Sequence, residues 1–342
     1  MQKPNFENLL KVLNRKPTEQ PVLFEFFFSN IEIAEHLSGI KQDSIWHMMR
    51  DPAANIAAMT NAGYDYITMN GSDLWFPNEN VQTGASRNMN EGAVIYDRES
   101  FDSYAWPEPY KCSQKLLVEA GKLLPKGMKV ITMGPCGVLE NVIRLVGFDN
   151  LCLMLFDDRE LVRKLFDEVG SRFIEYYETC LKYDFVGAII SNDDWGFNSG
   201  TMLSPDDMRE FVFPWHKRIV ETAHKAGRPA ILHSCGNLEA VYDEIIDDMK
   251  FDAKHSNEDK ILPVEEAYKR YGDRIAILGG IDVDFLIRAD DKDIITRCEK
   301  MIALTQKKGG YALGSGNSIA EYVPLNKYLT MINVIRKIRN EL

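Results

Sequence analysis

Pro229-Ala230-Ile231-Leu232-His233-Ser234-Cys235-Gly236 is the stretch on which the reading of this chain turns. Its first four residues form a short apolar run, bounded by Gly227 on one side and Gly236 on the other, the pattern of a parallel strand buried on both faces. His233 and Cys235 stand two residues apart on extended backbone and therefore point to the same side. An imidazole and a thiolate leave the end of one strand together, a donor pair that suits zinc. The competing reading is a buried thiol beside a hydrogen-bonded core histidine.

Working outward, the same kind of run recurs at Pro21–Phe28, Tyr64–Asn70, Met128–Pro135, Gly187–Asn192, Asp252–Ser256, Ile275–Asp282 and Gly310–Asn317. Between the runs lie helical periods, Asp158–Tyr183, Asp206–Ala226, Leu238–Met249 and Pro263–Tyr271, with Leu325–Asn340 closing the chain. Ser204-Pro205-Asp206-Asp207 is a clear helix start: a cap, a proline at the first helical position, then acids at the positive dipole end. Alternating strands and helices of this kind predict an α/β fold, a single (β/α)8 TIM barrel over residues 1–342 with an elaborated N-terminal region. The interval 71–127 is too long for one crossover helix. Within it Ser86–Met89 and Gly92–Tyr96 read as a hairpin inserted after the second strand, and Leu74, Trp75 and Phe76 argue for an ordered loop on the catalytic rim.

Composition narrows the function. The chain has 342 residues, 45% of them apolar, and a formal charge of −11, which disfavours nucleic acid as a partner. Six cysteines without framework spacing read as reduced thiols of a cytoplasmic protein. No run approaches the roughly 20 apolar residues of a membrane span, and the N-terminus lacks the apolar core of a signal peptide, so no membrane role is expected. The sequence leaves the oligomeric state open, a homodimer included.

In barrels of this type function sits at the C-terminal ends of the strands. In order, those ends carry Ser29 and Asn30; Asn70, Ser72 and Asp73; Cys136; Asn192, Asp193 and Asp194; His233 and Cys235; His255 and Glu258; Asp282; and Ser315 and Asn317. The pair Asp193-Asp194 beside Trp195 offers a general acid or a hard metal ligand, with helix capping as the competing role. His255 and Glu258 lie one strand round from His233 and Cys235, close enough to surround the same ligand. His216 and His224 fall on a helix and read as surface or interhelix residues. Cys152, Cys180 and Cys298 read as packed helical thiols. Phe26, Phe28, Trp75, Phe76 and Trp195 near the expected mouth offer an aromatic lining.

Ile190-Ser191-Asn192-Asp193-Asp194-Trp195-Gly196, Leu232-His233-Ser234-Cys235-Gly236-Asn237, Leu278-Gly279-Gly280-Ile281-Asp282 and the segment from Gly309 to Asn317, in this order, resemble the uroporphyrinogen decarboxylase superfamily. The resemblance covers nearly the whole chain and implies the same barrel. Its decarboxylases hold a polycarboxylate with an arginine-rich segment after the first strand; here that segment reads Phe26-Phe27-Phe28-Ser29-Asn30-Ile31-Glu32, without arginine. Asp73, in Gly71-Ser72-Asp73-Leu74, matches their catalytic aspartate. A second branch contains corrinoid-linked methyltransferases, and His233 and Cys235 match the zinc motif of its thiol-methylating members. Their third ligand is a cysteine where this chain has Asn317, so either His255, Glu258 or Asp194 completes the set, or the site binds no metal and uses these groups for proton transfer.

The resemblance therefore implies a cobalamin-dependent methyltransferase. It would take a methyl group from a small methylated donor, an aryl methyl ether being favoured (O-demethylation), and pass it to cob(I)alamin on a partner corrinoid protein, forming methylcobalamin. Zinc at His233, Cys235 and Glu258 would assist as Lewis acid. Asp193, Asp194, His255 and Asp73 are the expected catalytic groups. Phe28, Asn30, Asn70, Trp75, Asn192, Trp195, Asp282 and Asn317 are expected to contact substrate. The alternative is a lyase acting on a carboxylated substrate, which calls for at least two Arg or Lys at the strand ends, and the sequence pattern names none.

Overall fold

A computed structural model describes residues 3–45, 47, 50–78 and 88–342. Seven parallel strands form one curled sheet in chain order: β1 Tyr66–Asn70, β2 Lys129–Met133, β3 Val186–Asn192, β4 Ala230–His233, β5 Ala253–His255, β6 Ala276–Leu278 and β7 Tyr311–Ala312. Each lies within a run expected from the sequence, apart from β3, which begins one residue earlier. The helices that connect them pack outside, so the strands read as unbroken apolar runs. Ile189, Ile190, Ile231, Leu232, Ile277 and Leu278 are all fully buried.

The eighth run behaves differently. Pro21–Phe28 forms no regular strand; it meets the last strand region through isolated bridges, Leu23 to Leu313 and Phe28 to Ile319. On that side the backbone pairs normally, with Phe24 N donating to Leu313 O and Leu313 N to Val22 O, both at 2.8 Å. On the β1 side two side chains stand in for the ladder. Thr68 Oγ1 donates to Phe26 O at 2.5 Å, and the Tyr66 hydroxyl bonds both Glu25 N and Glu25 O at 2.7 Å. A hydroxyl inserted between two strands satisfies the backbone groups but holds the strands apart, which is why the sheet is TIM-barrel-like with seven ladder-paired strands.

Helices follow their local signals where tertiary packing allows. The longest runs over Arg159–Cys180, started by Asp158, whose carboxylate accepts from Leu161 N at 3.1 Å. The single helix expected over Asp206–Ala226 is instead a short turn at Pro205–Asp207, a wide π turn at Met208–Val212, and a regular helix at Phe213–Lys225. Leu238–Met249 forms only two short turns, Glu239–Val241 and Glu244–Asp248. Of the expected inserted hairpin, Ser86 and Arg87 lie outside the described residues. The described half, Gly92–Tyr96, forms no strand, and Val94 N and Ile95 N donate instead to Leu145 O. Among the described residues no helix is long and apolar enough to cross a membrane.

Candidate active site

Strand register aligns the site. Asn192 pairs with His233 and His233 with His255, so three polar residues stand in one row across β3, β4 and β5 at their C-terminal ends. The two histidines meet through Nδ1 and Nδ1 at 2.7 Å, and His233 Nε2 lies 4.0 Å from Cys235 Sγ. One oxygen of Asp194 accepts from Cys235 N at 2.8 Å. One ligand atom each from Asp194, His233 and Cys235 fall within 4.8 Å of one another. Carboxylate, imidazole and thiolate converging at that spacing fit the donor set of zinc.

The hydrogen bonds dictate which nitrogen of His233 is available. His255 Nε2 faces the carbonyl of Ser315 at 3.3 Å, and a carbonyl only accepts, so this nitrogen carries a proton. Burial holds the His255 imidazole neutral, down to about 3, which leaves its Nδ1 bare. The 2.7 Å contact is therefore donated by His233 Nδ1, and His233 Nε2 presents its lone pair toward Cys235. The thiol is pushed up by burial and by the nearby Asp194 carboxylate. Asn317 Nδ2 donates to Cys235 Sγ at 3.2 Å, and Ser256 Oγ lies 3.6 Å from it. Lys254 is also buried, donates to the carbonyls of Ser234 and Ser256, and is brought down by desolvation to about 8. The Phe26 ring stacks on His233 at 4.1 Å between centroids.

Asp193 occupies another role. It is fully buried, and its carboxylate accepts from Leu139 N and Glu140 N, each at 2.9 Å, capping the helix Val138–Val146. A Cβ on Gly137 would sit 2.0 Å from that carboxylate, so the approach needs glycine. His216 Nε2 lies 2.9 Å from Asp193 Oδ2, and Ser191 Oγ lies 2.9 Å from His216 Nδ1. His216, expected at the surface or between helices, is thus a buried partner of Asp193. Glu140 is a further group the sequence reading missed. Burial, with Asp194 and Asp193 nearby, holds its carboxyl well above the usual range, and its Oε2 accepts from Gly137 N at 3.0 Å. Its position three residues after Gly137 at a helix start was the available signal.

The remaining expected residues divide between a cleft and structural roles. Asn70, Asp73 and Trp75 line a cavity of about 550 Å³ at the ends of β1 and β2, together with Arg50, Lys115 and Met133. Arg50 and Lys115 are the cations for which the sequence pattern had shown no place. Trp75 is 45% exposed, and the Arg144 guanidinium lies 4.0 Å over its ring and 3.3 Å from Cys136 Sγ. Thr68 joins the cleft to the Asp194–His233–Cys235 cluster: it lines the cavity and bonds Phe26, whose ring covers His233.

Phe28 packs edge-on against Tyr64 and Tyr328. The Asn30 amide caps Ile31–Ser38 and donates to three carbonyls between Ala320 and Val323. Trp195 is fully buried against Phe213 and His216. Asp282 caps Val283–Arg288 and accepts from Asp259 N. Asn192 Oδ1 accepts from Gly134 N at 2.9 Å. Glu258 lies outside the convergent ligand atoms, in a small pocket with Lys254 and Tyr242. Cys180 and Cys298 are packed as expected, whereas Cys152 is exposed. His224 bonds Asp252 at 2.8 Å near the surface.

The family model described as "Uroporphyrinogen decarboxylase (URO-D)" matches residues 54–338. Two curated uroporphyrinogen decarboxylases, from Anaeromyxobacter sp. (strain Fw109-5) and Anaeromyxobacter dehalogenans (strain 2CP-C), are each 24% identical over 190 and 196 residues respectively. Each match covers 55% of this chain and 51% of the relative, so the matched part spans about half the length of these relatives. A methyltransferase from Methanosarcina mazei superposes with a TM-score of 0.69 at 16% identity, covering 99% of this chain and 100% of its own, which establishes a shared fold.

Proposed function

This chain belongs to the uroporphyrinogen decarboxylase (URO-D) family, and within it we propose that it is a methyltransferase that moves a methyl group from a small methylated donor to the cobalt of a partner corrinoid protein. The observation that carries this reading is the convergence of Asp194, His233 and Cys235, with the bare Nε2 of His233 turned toward the thiol. These three residues would hold zinc, which when bound supplies a Lewis acid for the heteroatom leaving the methyl group, worth several kcal/mol in such sites.

The protein's own residues do the rest. His255 holds His233 in the ligating tautomer. Asn317 and Ser256 place donors on the Cys235 sulfur, and buried Lys254 offsets the negative charge that gathers there. Glu140, whose carboxyl burial and the neighbouring Asp194 and Asp193 hold well above the usual range, is a candidate proton donor beside the carboxylate pair. Trp75 offers the cleft an exposed aromatic face, and an aryl methyl ether is the donor it suits.

One observation favours a second reading, a lyase acting on a carboxylated substrate. Arg50 and Lys115 share the cleft with Asp73, and neither has an ion-pair partner among the described residues. A single assay separates the two. Under anaerobic conditions with photoreduced cob(I)alamin and a panel of methyl aryl ethers, the methyltransferase reading predicts growth of the methylcobalamin spectrum. Release of carbon dioxide from a carboxylated substrate, lost in Asp73→Asn and with no methylcobalamin formed, would favour the lyase.

A further inference from the structure

Glu25 lies in the segment that closes the barrel, fully buried, with no cation within ion-pair distance among the described residues. The groups facing it are the hydroxyls of Tyr64, Tyr66 and Tyr328 and residue Ser315. Ser315 Oγ stands 2.6 Å from Glu25 Oε1 and also bonds the carbonyl of Asn317, while Ser315 N donates to Glu25 Oε2 at 3.3 Å, so that oxygen is the accepting one. A hydroxyl has one proton to give, and a carbonyl can only accept. With the Ser315 proton on Asn317 O, the short contact to Glu25 is a hydrogen bond only when the Glu25 carboxyl supplies the proton. Burial agrees, outweighing the opposing hydrogen bonds from Ser315 and the Phe26 backbone and leaving that carboxyl raised to about 8.

Ser315 is also the hub of the metal-ligand cluster. Its carbonyl accepts from His255 Nε2 and, at 2.8 Å, from Gly280 N. Its hydroxyl anchors the carbonyl of Asn317, whose amide donates to Cys235 Sγ. Two paths thus start at Glu25 and end on the two softer ligands: through Ser315 and His255 to His233, and through Ser315 and Asn317 to Cys235.

We propose that Glu25 is a positioning residue for the Asp194–His233–Cys235 site, a neutral acid that locks Ser315 and through it both the His233 tautomer and the amide on Cys235. The proposal rests on reading those three residues as a metal site. It does not require the methyl-transfer chemistry.

The test compares Glu25→Gln, Glu25→Leu and Ser315→Ala, all checked for folding by circular dichroism. Zinc affinity is read by competition with a chromophoric chelator, and the tautomers of His233 and His255 by ¹⁵N NMR of histidine-labelled, metal-free protein. Glu25→Gln keeps a neutral hydrogen-bond donor and should bind zinc within about threefold of wild type, whereas Glu25→Leu and Ser315→Ala should lose about 10–100-fold, as for other outer-shell ligand supports. In metal-free protein the wild type and Glu25→Gln should show His233 protonated at Nδ1, and Ser315→Ala a mixture of tautomers. Glu25→Gln as impaired as Glu25→Leu would overturn the neutral-acid role. Unchanged zinc affinity and tautomer in folded Ser315→Ala would overturn the positioning role, a lower melting temperature alone indicating packing only. If Glu25→Leu does not fold, Ser315→Ala decides. Should wild type bind no zinc, the metal-site reading fails and the tautomer spectra decide this proposal on their own.

Discussion

His233 and His255 meet nitrogen to nitrogen at 2.7 Å, and because His255 has spent its one proton on the carbonyl of Ser315, the shared proton belongs to His233. The pairing follows from register, since β4 and β5 place the two residues side by side. Replacing His255 by phenylalanine keeps the ring volume and removes the acceptor. The expected result is zinc binding weakened by about 10–100-fold with the fold intact, read by chelator competition. His233→Ala should abolish high-affinity binding outright.

Asn317 sits where a third sulfur would reach the cluster, its amide nitrogen 3.2 Å from Cys235 Sγ. Asn317→Cys adds a soft ligand at nearly the same place. It should raise zinc affinity by at least about tenfold, a gain of roughly 1.4 kcal/mol, measured by the same competition. No gain would mean that Asn317 is not directed at the ligand position.

Glu25 makes stability pH-dependent. The folded protein keeps its proton up to about 8, whereas the unfolded chain releases it near 4.5. Stabilisation from that proton is complete below the unfolded value and is lost as pH rises through the folded one. Between pH 5 and 8 the wild type should therefore lose roughly 3–4 kcal/mol relative to Glu25→Gln, which has no proton to release. Urea denaturation of both proteins at the two pH values measures the difference.

Gly236 ends the His-x-Cys segment with φ of +87°, and a Cβ there would lie 2.1 Å from the backbone of Gly196. Two strand-end loops cross at this point and carry Asp194 and Cys235. Gly236→Ala should destabilise the protein by about 3 kcal/mol or more, through both strain and backbone collision. Thermal unfolding would show it as a lowered midpoint, accompanied by weaker zinc binding.

Much of this architecture was legible in the sequence. The apolar runs gave the seven ladder-paired strands, because strands covered on both faces carry a continuous signal that needs no partner to interpret. Pro21–Phe28 carried the same signal. Its departure from a regular strand depends on Thr68 and Tyr66, about 40 residues away, inserting hydroxyls where a ladder would form. His233, Cys235 and Asp194 were legible as strand-end residues, and register then brought the first beside His255. Asp193 was legible at a strand end with capping as one of its two roles, but which helix it caps was not, since that helix begins 55 residues earlier and its partner His216 arrives 23 residues later. Long-range packing of that kind leaves no mark on the local pattern. Trp195 and Phe28 illustrate the same limit: an aromatic near a barrel mouth reads alike whether it faces the cleft or fills the wall behind it.

The central claim is that Asp194, His233 and Cys235 form a zinc site. Zinc content by mass spectrometry, with X-ray absorption at the zinc edge, tests it on wild type and on His233→Ala/Cys235→Ala. The account predicts about one zinc per chain, with one sulfur at about 2.3 Å and nitrogen or oxygen ligands at about 2.0–2.2 Å, and loss of the metal in the double variant. A wild-type protein that takes up no zinc when it is offered, or a double variant that retains it with the same spectrum, would contradict the account.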